Sequence, residues 1–157
     1  MKRIMICLVA AAMVMGVSYA AYAGAEEDAK ALAQREAVFI SQNGRDAGIA
    51  EIMKPNGEFK KDDLFLTLID LEGVVVANAA VPQLVGANIK EMKDVRQSIE
   101  IAKTKGGDWL EYSFTDRNAE KIAPRKAWVQ KVEGTDLFVL ATPVTWHYVK
   151  GDVYPIP

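Results

Sequence analysis

The sequence predicts an α+β domain: a five-stranded antiparallel sheet with a long N-terminal helix and flanking short helices. Three observations point there. Apolar residues recur at helical spacing after residue 24. Five runs of strand length lie between Leu64 and Val144. One helix-period segment separates the second run from the third.

Residues 1–23 read as a signal peptide. Lys2 and Arg3 supply the positive start, Ile4 to Val17 is apolar and uncharged, and Ala21-Tyr22-Ala23 offers small residues at the two positions a signal peptidase reads. Ser18-Tyr19-Ala20 is a second such site. The apolar run is shorter than the ~20 residues of a membrane helix. Cys7 lacks the small residues that precede a lipid-modified cysteine, so a cleaved leader without a lipid anchor is expected. Residues 24–145 then form the domain, and 146–157 an irregular tail. Cys7 is the chain's one cysteine, so burial rather than disulfides must stabilise the exported part. With 19 basic against 21 acidic residues and a formal net charge of −2, nothing suggests a nucleic-acid footprint. No second apolar stretch of spanning length follows, so a soluble protein with no attached output domain is expected.

Each element has a local reason. Ala29, Leu32, Ala33, Ala37 and Ile40 fall on one helix face. Gly44 and Gly48 break the pattern, giving a long helix to Asn43 and a short one to Met53, and Pro55-Asn56-Gly57 ends the helical region. Leu64 to Asp70 is a strand apolar on both sides. Leu71-Glu72-Gly73 is a hairpin turn, and the β-branched Val74 to Asn78 returns. Ala79 to Asp94, with Pro82 and Gly86, is a long connection without regular structure. Val95 to Lys105 is a helix turning Val95, Ile99 and Ala102 inward, stopped by Gly106. Trp109 to Phe114, Pro124 to Val132 and Leu137 to Val144 are strands, with turns at Asp116-Arg117-Asn118 and Glu133-Gly134-Thr135. The last is almost wholly apolar, which suits a central place in the sheet. The sum is PAS-like.

Catalytic chemistry is sparse. His147 is the chain's one histidine and sits in the tail. Adjacent Asp62-Asp63 before a strand reads as a solvated cap. No phosphate loop, nucleophile elbow or paired zinc motif occurs, so no enzyme activity, no metal and no cofactor are expected. Binding chemistry is better represented. Along the third strand Trp109, Glu111 and Ser113 alternate with Leu110, Tyr112 and Phe114. Along the fourth, Lys126, Trp128 and Gln130 alternate with Ala127, Val129 and Lys131. Each strand places an aromatic beside a polar group, as small-molecule pockets do. Pattern alone favours the plainer reading, aromatics in the core and a Lys126 that snorkels to water.

Several phrases, in order, resemble the single Cache domain (the sCache_2-like kind). They are Asp70-Leu71-Glu72-Gly73, Leu84-Val85-Gly86-Ala87-Asn88, Gly106-Gly107-Asp108-Trp109-Leu110-Glu111-Tyr112, Lys126, and Val132-Glu133-Gly134-Thr135-Asp136-Leu137. The resemblance runs from the first helix to the last strand. It implies an extracytoplasmic sensor that binds a small metabolite such as an organic acid or amino acid. The chain departs from the pattern at Ala77-Asn78-Ala79, at Trp128 and at Thr142-Pro143-Val144, which puts ligand identity in doubt. On this resemblance Lys126 is expected to contact an anionic group, Tyr112 and Trp128 to form the wall with Phe114 on the strand of Tyr112, and Asn78 to offer a polar contact from the loop edge. Trp109 is expected in the core beneath the long helix, and Gly86 and Asn88 to shape the loop. The rival reading is an interaction module for a membrane receptor or sensor kinase, with no ligand of its own. A hydrolase or isomerase on the same scaffold is a third.

Overall fold

The computed structural model describes residues 24–143 except 56, 58, 60–63 and 117–120. The leader, Asp62-Asp63, His147 and the tail therefore lie outside the described residues. Helix α1 covers 24–43 and α2 Arg45–Met53. The strands are β1 (Leu64–Asp70), β2 (Val75–Asn78), β3 (Gly107–Asp116), β4 (Lys121–Lys131) and β5 (Leu137–Pro143), with α3 (Lys93–Thr104) between β2 and β3. The five strands form one sheet in the order β2-β1-β5-β4-β3, every neighbouring pair antiparallel. The expected α+β architecture is observed, with β5 central.

Differences from the expected elements are local. Strands β3 and β4 run further toward their hairpin than the residue pattern indicated, and α3 begins two residues earlier, at Lys93. Gly48 does not break α2. A Cβ at this position would lie 2.3 Å from Ile40 Cγ1, so its missing side chain lets α2 sit directly on α1.

The connection after β2 is more ordered than expected. It contains a 3₁₀ turn, Pro82–Leu84, and returns along the free edge of β2. There Gly86 N–H donates to Val75 O at 2.8 Å and Val75 N–H to Ala87 O at 3.0 Å. This satisfies an edge that otherwise invites pairing with another chain. The same loop is tied to the β1–β2 turn. Asp70 Oδ1 accepts from Glu72 N–H and Val74 N–H, Asn88 Nδ2 donates to Glu72 O, and Ile89 N–H donates to Gly73 O. Gly73 has φ +85°, and a Cβ there would meet the Lys90 backbone at 2.9 Å, so only glycine fits.

The sheet separates two apolar clusters. On one face α1 and α2 cover Leu64, Leu66 and Leu68 of β1, Val76 of β2, Leu137 and Val139 of β5, and Trp128 of β4. On the other, Val95, Ile99 and Ala102 of α3 cover Ile69, Leu110, Val129 and Phe138. Trp109 packs against the first cluster, as its parity indicated.

Candidate functional site

Register decides which of the expected site residues share a face. In β3 and β4 Trp109 stands opposite Trp128, Glu111 opposite Lys126, and Tyr112 opposite Arg125. Opposed residues of an antiparallel pair project to the same side. Lys126 and Trp128 therefore lie beneath α1, whereas Tyr112 packs with the α3 cluster. The expected wall of Tyr112 with Trp128 does not form, because the sheet lies between them. Phe114 stands opposite Ala123.

On the α1 face the aromatics and charges are engaged with one another. The Trp109 and Trp128 rings meet edge to face, centroids 5.2 Å apart. Trp128 Nε1 donates to Gln130 Oε1 at 3.0 Å, and Lys30 of α1 holds its ammonium 4.5 Å from the Trp128 ring centre. Lys126 lies 3.7 Å from Glu26 of α1 and 3.7 Å from Glu111. Two carboxylates already face its charge, so an added anion competes with both. The cluster fastens the start of α1 to β3 and β4. Two open grooves run along the outer side of α1, about 400 Å³ beside Arg35, Phe39 and Phe59, and about 300 Å³ beside Ser41, Gln130 and Glu133. None of the expected site residues lines either groove.

On the α3 face the sheet carries a second set. Asn78 is opposite Thr67 and donates Nδ2–H to its Oγ1 at 3.1 Å. Its Oδ1 accepts from the N–H groups of Ala80 at 3.0 Å and Val81 at 2.8 Å. Asn78 thus braces the start of the loop. It also lies on edge strand β2, four inter-strand steps from Tyr112 on edge strand β3, or about 19 Å at ~4.8 Å per step. One small ligand does not touch both. Between them, Thr67 stands opposite Leu140, and Thr142 opposite Phe65. Thr67 and Thr142 are buried polar groups on this face. Ala127, fully buried, lies across from Leu110, two residues from Tyr112. Tyr112 and Leu140 are only half-buried. Thr67 escaped the sequence reading, although alternation against Leu66 and Leu68 carries its signal. Thr142 had stood out only as a departure from the family pattern.

Glu36 was also missed. It sits in the apolar stripe of α1, fully buried, with neither carboxylate oxygen hydrogen-bonded. Burial pushes its carboxyl up to about 8, with Glu51 adding to the rise and Arg35 opposing it. Its position, four residues from both Leu32 and Ile40, was the available signal. At the exposed surface, the hydrogen bond from Lys105 holds the Asp108 carboxyl below its usual range, helped by the Trp109 N–H. Among the described residues no group of three or more His, Cys, Asp or Glu side chains is placed to hold a metal, and no helix is long and apolar enough to cross a membrane.

The α+β fold of this chain, a five-stranded antiparallel sheet with helices packed on it, matches that of Cache-type sensor domains. Among solved structures it is similar to a methyl-accepting chemotaxis protein from Vibrio parahaemolyticus RIMD 2210633, at 18% identity over 74% of this chain and 86% of that one, TM-score 0.54. It is similar to the periplasmic sensor domain of a chemotaxis protein, at 15% identity over 83% and 97%, TM-score 0.55. It is also similar to a Cache chemosensory domain described for its recognition of carboxylic acids, at 14% identity over 82% and 93%, TM-score 0.53. No family model matches the sequence, and no curated protein matches it.

Proposed function

We propose that this chain is a sensor domain, exported to the periplasm or beyond by cleavage of residues 1–23, that binds a small metabolite and performs no catalysis. The ligand class is a small carboxylate. The Cache-like fold supports the sensor reading, and a structural neighbour that recognises carboxylic acids supports the ligand class.

The observation that carries the site is that half-buried Tyr112 shares the α3 face with buried Ala127 and Thr142, Ala127 standing opposite Leu110 and so diagonal to Tyr112. An aromatic side chain, a small residue and a hydroxyl are chemistry suited to lining a small-molecule site. Tyr112 is the ligand contact in this reading, and Phe114 lies next along the same strand. Lys126 and Trp128 are assigned to holding α1, and Asn78 to holding the loop.

Calorimetry and thermal shift with short mono- and dicarboxylates and amino acids test the proposal. With a ligand in hand, Tyr112→Ala is expected to weaken binding about tenfold or more, which is about 1.4 kcal/mol, and Lys126→Ala to leave affinity within about twofold. The reverse ranking places the ligand beneath α1. A second reading, an accessory module for a membrane receptor or sensor kinase, is favoured by the loop. No charged residue occurs between Val75 and Ile89, and Val85 there is 44% exposed. Pulldown from envelope extracts, lost on Val85→Asp, supports that reading.

A further inference from the structure

A core position in α1 is occupied by an acid. Ala29, Leu32, Ala33, Ala37 and Ile40 surround Glu36 in the buried stripe. Its carboxylate reaches the surface of α2 that lacks a side chain, where a Cβ on Gly48 would lie 3.4 Å from Glu36 Oε1. Both carboxylate oxygens are buried, and neither has a hydrogen-bond partner. A charged carboxylate in such a place is costly, and the cheapest remedy is a proton. The alternative remedy is water, which requires α2 to move off α1.

We propose that the contact between α1 and α2 is a proton-gated latch, closed while Glu36 is protonated and loosened when it ionises. The latch lies on the face of the sheet away from Tyr112 and does not depend on the ligand reading.

The surroundings agree. On α2, Glu51 is nine-tenths buried and its negative charge opposes ionisation of Glu36. Glu51 is paired with Lys54, so that ammonium is committed to another carboxylate. On α1, the Arg35 charge acts in favour of ionised Glu36. It directs its guanidinium over the Phe59 ring, 5.3 Å from the centroid. Sheet residues of this cluster, among them Leu64, Leu66, Leu68 and Val76, are apolar.

The direction follows from linkage. The closed state holds the proton up to about pH 8, whereas an exposed carboxyl releases it near 4.5. Below 4.5 both states are protonated and the latch is at full strength. Between the two values the closed state binds one proton more, so opening becomes about tenfold more favourable for each unit of pH. Above 8 both states are ionised and the dependence flattens.

Hydrogen exchange on the full chain, corrected for intrinsic exchange, reads this directly. The opening constant of the α2 amides is expected to rise about tenfold from about pH 6 to 7 and to level off above about pH 9, while α3 amides show no matching rise. Glu36→Gln and Glu36→Met are both expected to abolish the rise. A rise that survives in either variant, a flat wild-type profile, or an equal rise in α3 overturns the latch. If neither variant folds, carboxyl carbon NMR of the wild-type chain decides: a Glu36 midpoint near 8 supports the latch, and one near 4.5 overturns it.

Discussion

Replacing Asn78 with alanine separates a brace from a ligand contact. Asn78 is 4% exposed and makes three hydrogen bonds, one to Thr67 and two from the N–H groups of Ala80 and Val81. Each contributes roughly 1 kcal/mol net, and a buried group left unpaired costs more. Ala80 is exposed and Val81 half-buried, so water recovers part of the loss at those two. Thr67 is buried and recovers little. The expected cost of Asn78→Ala is therefore about 2–3 kcal/mol, a fall in Tm of roughly 10 °C for a domain of this size. Urea unfolding followed by circular dichroism measures it. Asn78→Asp keeps the acceptor for both N–H groups and removes the donor to Thr67. Exchange protection of Ala80 and Val81 should therefore survive in Asn78→Asp and vanish in Asn78→Ala. A cost below about 0.5 kcal/mol, or affinity lost without stability lost, refutes the brace and returns Asn78 to the ligand.

Trp128→Ala removes a buried ring, its hydrogen bond to Gln130, its edge-to-face contact with Trp109 and its cation–π contact with Lys30. The expected cost is about 3–5 kcal/mol, read as a lower urea midpoint, with tryptophan emission shifted to the red as Trp109 is wetted. Gly73→Ala forces a side chain into positive φ and against the Lys90 backbone, which the hydrogen bonds of Asn88 and Ile89 keep from retreating. A loss above about 2 kcal/mol is expected, and an unchanged Tm contradicts the assigned geometry.

Much of the architecture was legible because each element carries a local cause. The stripe from Ala29 to Ile40 faces one way, Gly106 stops α3, and the almost wholly apolar run of β5 suits a strand covered on both faces. The site was less legible because alternation divides each strand into two sets without saying which set of β4 meets which set of β3. That choice belongs to register, which pairs Glu111 with Lys126 and so separates Lys126 from Tyr112. Strand order was equally hidden. It puts Asn78 and Tyr112 on opposite edges, a separation that no spacing along the chain expresses. Glu36 escaped because an amphipathic stripe is traced through its apolar members, and an acid among them is passed over. The family-like phrases proved informative about the frame. Asp70 accepts from the N–H groups of Gly73 and Val74, and the Asn88 side chain donates to Glu72 O, so these residues share one joint turn.

Ala127 and Trp128 are consecutive in β4, yet one lies on the face proposed for the ligand and the other beneath α1. A single peptide group joins them. Beyond that peptide group stands the indole of Trp128, and over its ring lies the Lys30 ammonium. The sheet is a partition one residue thick, and the two compartments share the backbone of every strand that divides them.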